Sequence, residues 1–157
     1  MHKKVHLSEI AEPMRTVLQS GGEVSFITSG FSMLPLLRNK TDTATLREPT
    51  KPIRRGDVIF YRRPSGEFVL HRVIGKRKDG FVLRGDNQKD VEYGVRPEWI
   101  WAVLISVQRK EGKVIDCDSA RYKLYTAALP LVRLFRLHIY PLYVRLCAPI
   151  VRKLLKK

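Results

Sequence analysis

FVLHRVIGKRKDGFVLRGDN, residues 68–87, holds two runs of strand-forming residues around a turn signal. Valine, leucine and phenylalanine recur in these runs, and β-branched and aromatic residues favour strands. Asp79-Gly80 lies between the runs and is a preferred two-residue hairpin loop. The stretch therefore predicts an antiparallel hairpin, whose loop decides which residues of the two strands face each other.

Similar short strand-like segments recur on both sides of this hairpin. Turn signals such as RRGD, RPSGE and KEG separate them. Many short strands at this spacing are typical of a mainly β domain, here a folded sheet or partial barrel. The predicted strands cover residues 23–29, 42–47, 57–63, 67–74, 81–84, 99–107 and 113–116.

A short amphipathic helix is predicted before the strands, within an N-terminal unit of residues 1–22. Ser8 is a candidate N-cap, and Gly21-Gly22 ends the helix. The segment has no apolar run of the signal-peptide type, so neither a leader nor a membrane anchor is expected here. The predicted apolar face comprises Ile10, Ala11, Met14, Val17 and Leu18.

Residues 119–157, the basic tail, differ in character from the β domain predicted at 23–118. The chain has a net charge of +15, and the basic tail contains nine Lys and Arg side chains but no Asp or Glu. Its sequence is apolar and helix-like, and Pro130, Pro141 and Pro149 are expected to divide it into short amphipathic helices.

The basic tail has two interpretations. Arg145, Arg152 and Lys156 recur at helical spacing among leucines, which is typical of a helix that lies on an anionic membrane surface. Alternatively, the tail forms a helical hairpin that covers the open side of the β domain. The absence of acids favours the membrane, and the chain has no apolar run long enough to cross it. A peripheral membrane protein is expected, otherwise a cytoplasmic one.

SGFSMLPLL, residues 29–37, combines an apolar run with Gly30 and Pro35, which predicts a bend. Ser32 at this bend is a candidate nucleophile, although a serine beside glycine is common in ordinary turns. A serine hydroxyl needs a base that accepts its proton and N–H groups that face the developing oxyanion.

His71 is the candidate base, because it stands in the middle of a predicted strand. The other histidines lie in the N-terminal unit or the basic tail. A lone histidine in a strand is more often structural, but a nearby carboxylate would fix its tautomer. With the loop at Asp79-Gly80, Val73 faces Asp86. Asp86 then becomes a diagonal neighbour of His71, about 7–8 Å away at the backbone.

Other titratable residues are weaker candidates. Asp90 is a second possible carboxylate, but an ordinary loop acid is the simpler interpretation. Lys76 and Lys78 are alternative bases, yet they lie at the hairpin tip. No metal-ligand spacing is present, and neither a metal nor a cofactor is expected.

GFSMLP, GDVIFYRRPSGEFVLHRVIG and GFVLRGDNQ, in this order within residues 24–107, resemble the successive sequence boxes of type I signal peptidases. These serine peptidases share a β fold with LexA-type repressors. Bacterial members place a Lys base in the second box, whereas the endoplasmic-reticulum and archaeal branch has His. LHRVIG therefore matches the Ser/His branch.

The resemblance implies a serine endopeptidase with Ser32 as nucleophile, His71 as general base and Asp86 in the active site. Several relatives have a serine two residues before the nucleophile, but Gly30 stands there in this chain. The oxyanion hole is therefore expected at Gly30 and Ser32 and depends on backbone N–H groups, mainly that of Ser32. The substrate, an extended peptide or leader segment, is expected in a cleft formed by Phe26, Met33, Leu34 and Pro35.

Two further functions stay open. One is a LexA-like or leader-processing peptidase that does not bind membranes. The other is a non-catalytic module that binds nucleic acid through a basic surface. No recognised nucleic-acid motif supports the second, so nucleic acid is not favoured as a partner. The residues of that basic surface would be Arg54, Arg55, Arg62, Arg63, Arg72 and the run at 76–78.

Overall fold

Eight antiparallel strands and two helices make up the computed structural model, which describes residues 10–135. All seven predicted strands are present, and one further strand, β6, was not predicted. The helices are α1 (Ala11–Gln19) and α2 (Ala120–Leu134). The strands are β1 (Glu23–Ile27), β2 (Thr43–Arg47), β3 (Val58–Arg62), β4 (Phe68–Arg77), β5 (Gly80–Arg84), β6 (Glu92–Val95), β7 (Ile100–Gln108) and β8 (Val114–Asp116).

The strands form one sheet in the order β1-β2-β7-β3-β4-β5-β6, and β8 pairs with β7. The mainly β class predicted from the sequence is therefore confirmed. β1 stands at one end of the order, where β2 is its one partner among the strands of residues 10–135. β3 lies near the centre and is buried on both faces, since Val58, Ile59, Phe60 and Tyr61 are all buried.

The two faces of β3 contribute to different hydrophobic clusters. Val58 and Phe60 join a larger cluster with α1, β2 and β7. Ile59 and Tyr61 join a smaller cluster with residues of β4, β5 and β6. Because side chains alternate along a strand, β3 separates the two clusters while it belongs to both.

α1 packs on the sheet through Ala11, Met14 and Leu18, as predicted. Ile10 and Val17 were assigned to the same face but are 37% and 42% exposed. The predicted cap Ser8 lies outside the described residues.

α2 begins after Ser119, whose side chain accepts a hydrogen bond from the Tyr122 N–H at 3.2 Å. Tyr122 is buried against the domain. The helix continues through Pro130, so the predicted break at this proline is wrong. A proline inside a helix removes one backbone hydrogen bond, and here the helix continues without it. Pro141 and Pro149, and the stripe of Arg145, Arg152 and Lys156, lie outside the described residues.

The register of the β4–β5 hairpin differs from the prediction. The loop is Lys78-Asp79, because Arg77 pairs with Gly80. Gly80 has a φ of +142°, and a Cβ there would lie 2.7 Å from the carbonyl oxygen of Val95 in β6. The glycine is thus required where β6 approaches β5, rather than in the loop.

A second irregularity shifts the register further along the same hairpin. The pairing changes between Val73 and Gly75, which is typical of a β-bulge. Val73 consequently pairs with Leu83 and not with Asp86. The displacement is three residues, and an odd displacement moves Asp86 to the other face of the sheet.

Candidate active site

Ser32 lies in a turn that follows β1 and is half-buried. Gly30 has a φ of +106°, a conformation that favours glycine. Its N–H donates to the side-chain oxygen of Asn39 at 2.9 Å. The predicted role of Gly30 in the oxyanion hole is therefore wrong for its N–H group, which already has a partner. Within residues 10–135, the N–H of Ser32 donates no hydrogen bond.

Apolar residues anchor the turn to the larger hydrophobic cluster. Met33, Leu36 and Leu37 are 3–4% exposed and belong to that cluster. Met33 was predicted to line the substrate cleft, but burial in the core removes it from the surface. Of the other predicted cleft residues, Leu34 is half-buried and Pro35 is exposed.

Phe26, also predicted for the cleft, points into the core. Its ring centroid lies 5.7 Å from that of Phe60. Ile27, the next residue, projects to the opposite face and is 60% exposed. Phe31, directly before Ser32, is 62% exposed. Ile27 and Phe31 are thus the exposed apolar side chains of the segment that leads into the Ser32 turn.

A buried carboxylate supports the far side of this turn. Asp42 is fully buried and accepts hydrogen bonds from the side chains of Arg38 and Arg109. Arg109 also donates to the Pro35 carbonyl at 3.2 Å, which links the carboxylate to the turn. Burial raises the pKa of Asp42, but hydrogen bonds from Arg38 and Arg109 outweigh it and lower the pKa to about 2.

The turn docks against residues 85–87, which follow β5. The Asn87 N–H donates to the Ser32 carbonyl at 2.7 Å, and the Asn87 side-chain amide donates to the Phe31 carbonyl at 2.9 Å. A Cβ on Gly85 would lie 2.7 Å from the Ser32 carbonyl oxygen and 3.0 Å from the Ser32 Cβ. Ser32 therefore occupies the space that a side chain at position 85 would fill.

The same contact brings Ser32 close to His71. Arg72 pairs with Arg84, so the register continued by one residue sets His71 opposite Gly85. Directly opposed residues project to the same face with Cβ atoms about 4.5–5.5 Å apart. On this register Gly85, and the Ser32 that packs against it, lie on the His71 face of the hairpin. No hydrogen bond joins the Ser32 hydroxyl to His71 among the residues described.

Asp86 does not orient His71. Both of its carboxylate oxygens accept hydrogen bonds of 2.7 Å from Arg72. The side chains of Arg72 and Asp86 are 5% and 3% exposed, so this is a buried ion pair. The predicted triad geometry is wrong because the hairpin register puts Asp86 on the Arg72 face. Asp86 still acts on His71 through space, since its charge raises the pKa of His71.

Tyr61 in β3 is the polar neighbour of His71. Ile59 pairs with His71, so Tyr61, two residues on, shares the His71 face. The Tyr61 hydroxyl lies 3.5 Å from His71 Nδ1 and donates to Glu92 at 2.6 Å. Arg63 also donates to Glu92, at 2.7 Å.

Burial lowers the pKa of His71, while Glu92 raises it, Arg63 lowers it and Asp86 raises it. The result is a pKa below the ordinary 6.5, so the imidazole is neutral at pH 7 and able to accept a proton. Sequence reasoning missed Glu92, because its proximity to His71 depends on the unpredicted strand β6. Tyr61 could have been found from the strand pattern, because it lies two residues from Ile59, which pairs with His71.

Other candidates lie elsewhere. Lys76 pairs with Phe81 and Lys78 lies in the hairpin loop, five or more residues along β4 from His71. Asp90 is exposed in the loop before β6. Within the described part of the chain, no group of three or more His, Cys, Asp or Glu side chains is placed to hold a metal ion.

A cavity of about 680 Å³ lies on the opposite side of the β4–β5 hairpin, between residues 54–57 and α2. Arg72 and Asp86 line this cavity, whereas Ser32 and His71 do not.

Neither a comparison with models of known protein families nor a search of curated proteins gave a match. The candidate site therefore depends on the residues and their geometry.

Proposed function

We propose that this protein is a serine endopeptidase of the signal-peptidase type, with Ser32 as nucleophile and His71 as general base. The observation that carries the proposal is the packing of Ser32 against Gly85. The β4–β5 register, continued one residue beyond the pair Arg72–Arg84, sets Gly85 opposite His71. A serine on a glycine bend, beside a neutral buried histidine, is the arrangement that nucleophilic catalysis needs. The sequence boxes around Ser32, His71 and Asp86 support it, because they resemble those of signal peptidases in order.

The reaction proceeds through an acyl-enzyme. His71 Nε2 takes the Ser32 proton as Oγ attacks the scissile carbonyl carbon, and the resulting oxyanion accepts a hydrogen bond from the Ser32 N–H. The C–N bond then breaks and His71 returns the proton to the leaving amine. Water, deprotonated by His71, releases the carboxyl product and restores Ser32. Catalytic hydrogen bonds are often longer in unliganded enzymes, which accounts for the unformed Ser32–His71 bond.

The substrate is an extended peptide or leader segment that adds to the free edge of β1. That edge pairs with no strand within residues 10–135 and leads directly into the Ser32 turn. An added strand would gain main-chain hydrogen bonds, while Ile27, Phe31, Leu34 and Pro35 contact its side chains.

The enzyme binds an anionic membrane surface through the basic tail. Four apolar side chains of α2 and that of Phe135 directly after it are more than half exposed, and Leu124, Leu131 and Phe135 recur at helical spacing on one face. Arg121 and Lys123 lie on the same helix, and the tail holds no acid to oppose them. Such a helix lies in the membrane plane. No helix of the described chain is long and apolar enough to cross a membrane.

The nucleic-acid interpretation is weakened by two of its own residues. Arg72 is buried with Asp86, and Arg63 is paired with Glu67 and Glu92, so neither presents a free charge to phosphate. A leader-processing peptidase that does not bind membranes shares the chemistry proposed here and differs only in the role of α2.

A fluorophosphonate probe, which labels activated serines covalently, tests the peptidase directly. We expect labelling of the wild-type chain and none of Ser32→Ala. His71→Gln should reduce labelling strongly while Ser65→Ala, which removes an exposed loop serine, should not. Equal labelling of wild type and Ser32→Ala would exclude Ser32 as the nucleophile.

A further inference from the structure

We infer that Tyr61 and Glu92, in place of Asp86, orient His71 and stabilise its protonated form. This inference rests on the proposed function, in which His71 is the general base. Tyr61 and Glu92 are positioning residues, since neither contacts Ser32 or the substrate.

The direction of the hydrogen bonds carries the argument. The Tyr61 hydroxyl has one proton, and it donates this proton to Glu92 at 2.6 Å. Towards His71 Nδ1, 3.5 Å away, the Tyr61 oxygen can therefore act only as an acceptor. A hydrogen bond across this distance requires the proton of the neutral imidazole on Nδ1, and Nε2 then keeps its lone pair for the Ser32 proton.

Glu92 is held ionised for this purpose. Burial raises its pKa, but hydrogen bonds from Arg63 and Tyr61 outweigh it and lower the pKa below the ordinary value. Arg63 binds both oxygens of Glu92, at 3.0 Å and 2.7 Å, which fixes the carboxylate. When His71 takes the Ser32 proton, its imidazole ring becomes positively charged. The ring then faces the hydrogen-bonded pair of Tyr61 and ionised Glu92, which together carry a negative charge.

Asp86 cannot replace this pair. Its two oxygens are occupied by Arg72, and it lies on the other face of β4. Among residues 10–135, the charged groups that act on His71 are Arg63 directly after β3, Glu92 in β6 and Asp86 after β5. Of these three groups, only Glu92 is hydrogen-bonded to a side chain, Tyr61, that lies against the ring of His71.

The tautomer of His71 is the first measurement. Long-range ¹H–¹⁵N correlation spectra of the full ¹⁵N-labelled chain at pH 7.5 separate the two neutral tautomers, and the loss of signals in His71→Gln assigns them. We expect a proton on Nδ1 in the wild type. In Tyr61→Phe the tautomer should shift towards Nε2–H, whereas in the matched control Tyr93→Phe, which alters an exposed tyrosine, it should not.

The second measurement is the rate of fluorophosphonate labelling from pH 5 to 9. Tyr61→Phe should lower the plateau rate about 10–100-fold, because a hydrogen bond to a group that becomes charged is lost. Glu92→Gln should lower the rate and also move its midpoint to lower pH, since Glu92 raises the pKa of His71. Glu67→Gln, which also contacts Arg63 but not Tyr61, is the control and should change both quantities little.

A wild-type proton on Nε2 overturns the inference, as does an unchanged tautomer in both Tyr61→Phe and Glu92→Gln. A tautomer of His71 that changes in Asp86→Asn, but in neither Tyr61→Phe nor Glu92→Gln, also overturns the inference. If one variant does not fold, the other decides the question. An unlabelled wild type would refute the peptidase, while the spectra would still decide whether Tyr61 holds the His71 ring.

Discussion

Asp86 binds Arg72 through two hydrogen bonds of 2.7 Å, although its sequence position next to the His71 strand predicted a bond to His71. Arg72 also donates to the Gly56 carbonyl at 2.6 Å and to the Tyr122 hydroxyl at 3.0 Å. The buried guanidinium of Arg72 thus connects the residues after β5, the residues before β3 and helix α2. The main role of Asp86 is therefore to neutralise Arg72.

Asp86→Ala should lower the free energy of unfolding by about 3–5 kcal/mol, because it leaves the buried charge of Arg72 without its partner. Urea unfolding measures this loss. Glu98→Ala, which breaks the exposed pair Arg96–Glu98, is the control and should cost about 0–1 kcal/mol. The double variant Arg72→Met/Asp86→Leu should be more stable than Asp86→Ala. Equal stability of Asp86→Ala and wild type would contradict the prediction.

Gly85→Ala should reduce fluorophosphonate labelling of Ser32 about 100-fold, because the methyl group would displace the Ser32 backbone and small misplacements are costly for catalysis. Gly75→Ala is the matched control, since a Cβ there meets only an ordinary contact of 3.9 Å with Val82. Unchanged labelling of Gly85→Ala would show that the close contact between Gly85 and Ser32 does not position the nucleophile.

Asp42 should make stability depend on pH in the acid range. Its pKa of about 2 in the folded chain is below the ordinary 3.8, so its contribution is complete above about pH 4. That contribution is lost as the pH falls from about 4 to 2. Asp42→Ala should therefore be about 3 kcal/mol less stable than wild type at pH 6, and the difference should shrink towards pH 2. Thermal unfolding of both chains across this range tests it, and a constant difference would argue against it.

The labelling rate of Ser32 should fall as the pH is lowered, because only the neutral imidazole of His71 accepts the serine proton. The midpoint of this fall should lie below pH 6.5, since burial lowers the pKa of His71. The probe rate in wild type from pH 4.5 to 8 gives the midpoint. A midpoint above 6.5 would mean that the carboxylates near His71 outweigh its burial.

Leu124→Glu/Leu131→Glu should weaken binding to vesicles of phosphatidylcholine and phosphatidylglycerol at least about tenfold, since both leucines are over 70% exposed on α2. Flotation measures the bound fraction. Val114→Glu, which alters an exposed valine on β8, should bind as wild type does. If the double variant binds equally, α2 is not the membrane surface, and the interpretation of the tail as a cover gains support.

Seven of the eight strands and both described helices were predictable because their signals are local. Alternation, turn residues and the glycines that end α1 act within a few positions of each other. β6 was missed because EYGV contains a glycine and little apolar character, and it becomes a strand by pairing with β5. The break at Pro130 was wrong because the surrounding helix is stable enough to continue without one hydrogen bond.

The sequence by itself determined a mainly β domain, a bend that presents Ser32, and a histidine strand near it. Which side chains meet that histidine was decided by the tertiary structure. Each shift of the strand register by one residue moves a side chain to the other face of the sheet. The register here depends on the packing of β6 against Gly80 and on the bulge after Val73. These are contacts between strands, so local sequence signals do not contain them, and through them Asp86 meets Arg72 while Tyr61 meets His71.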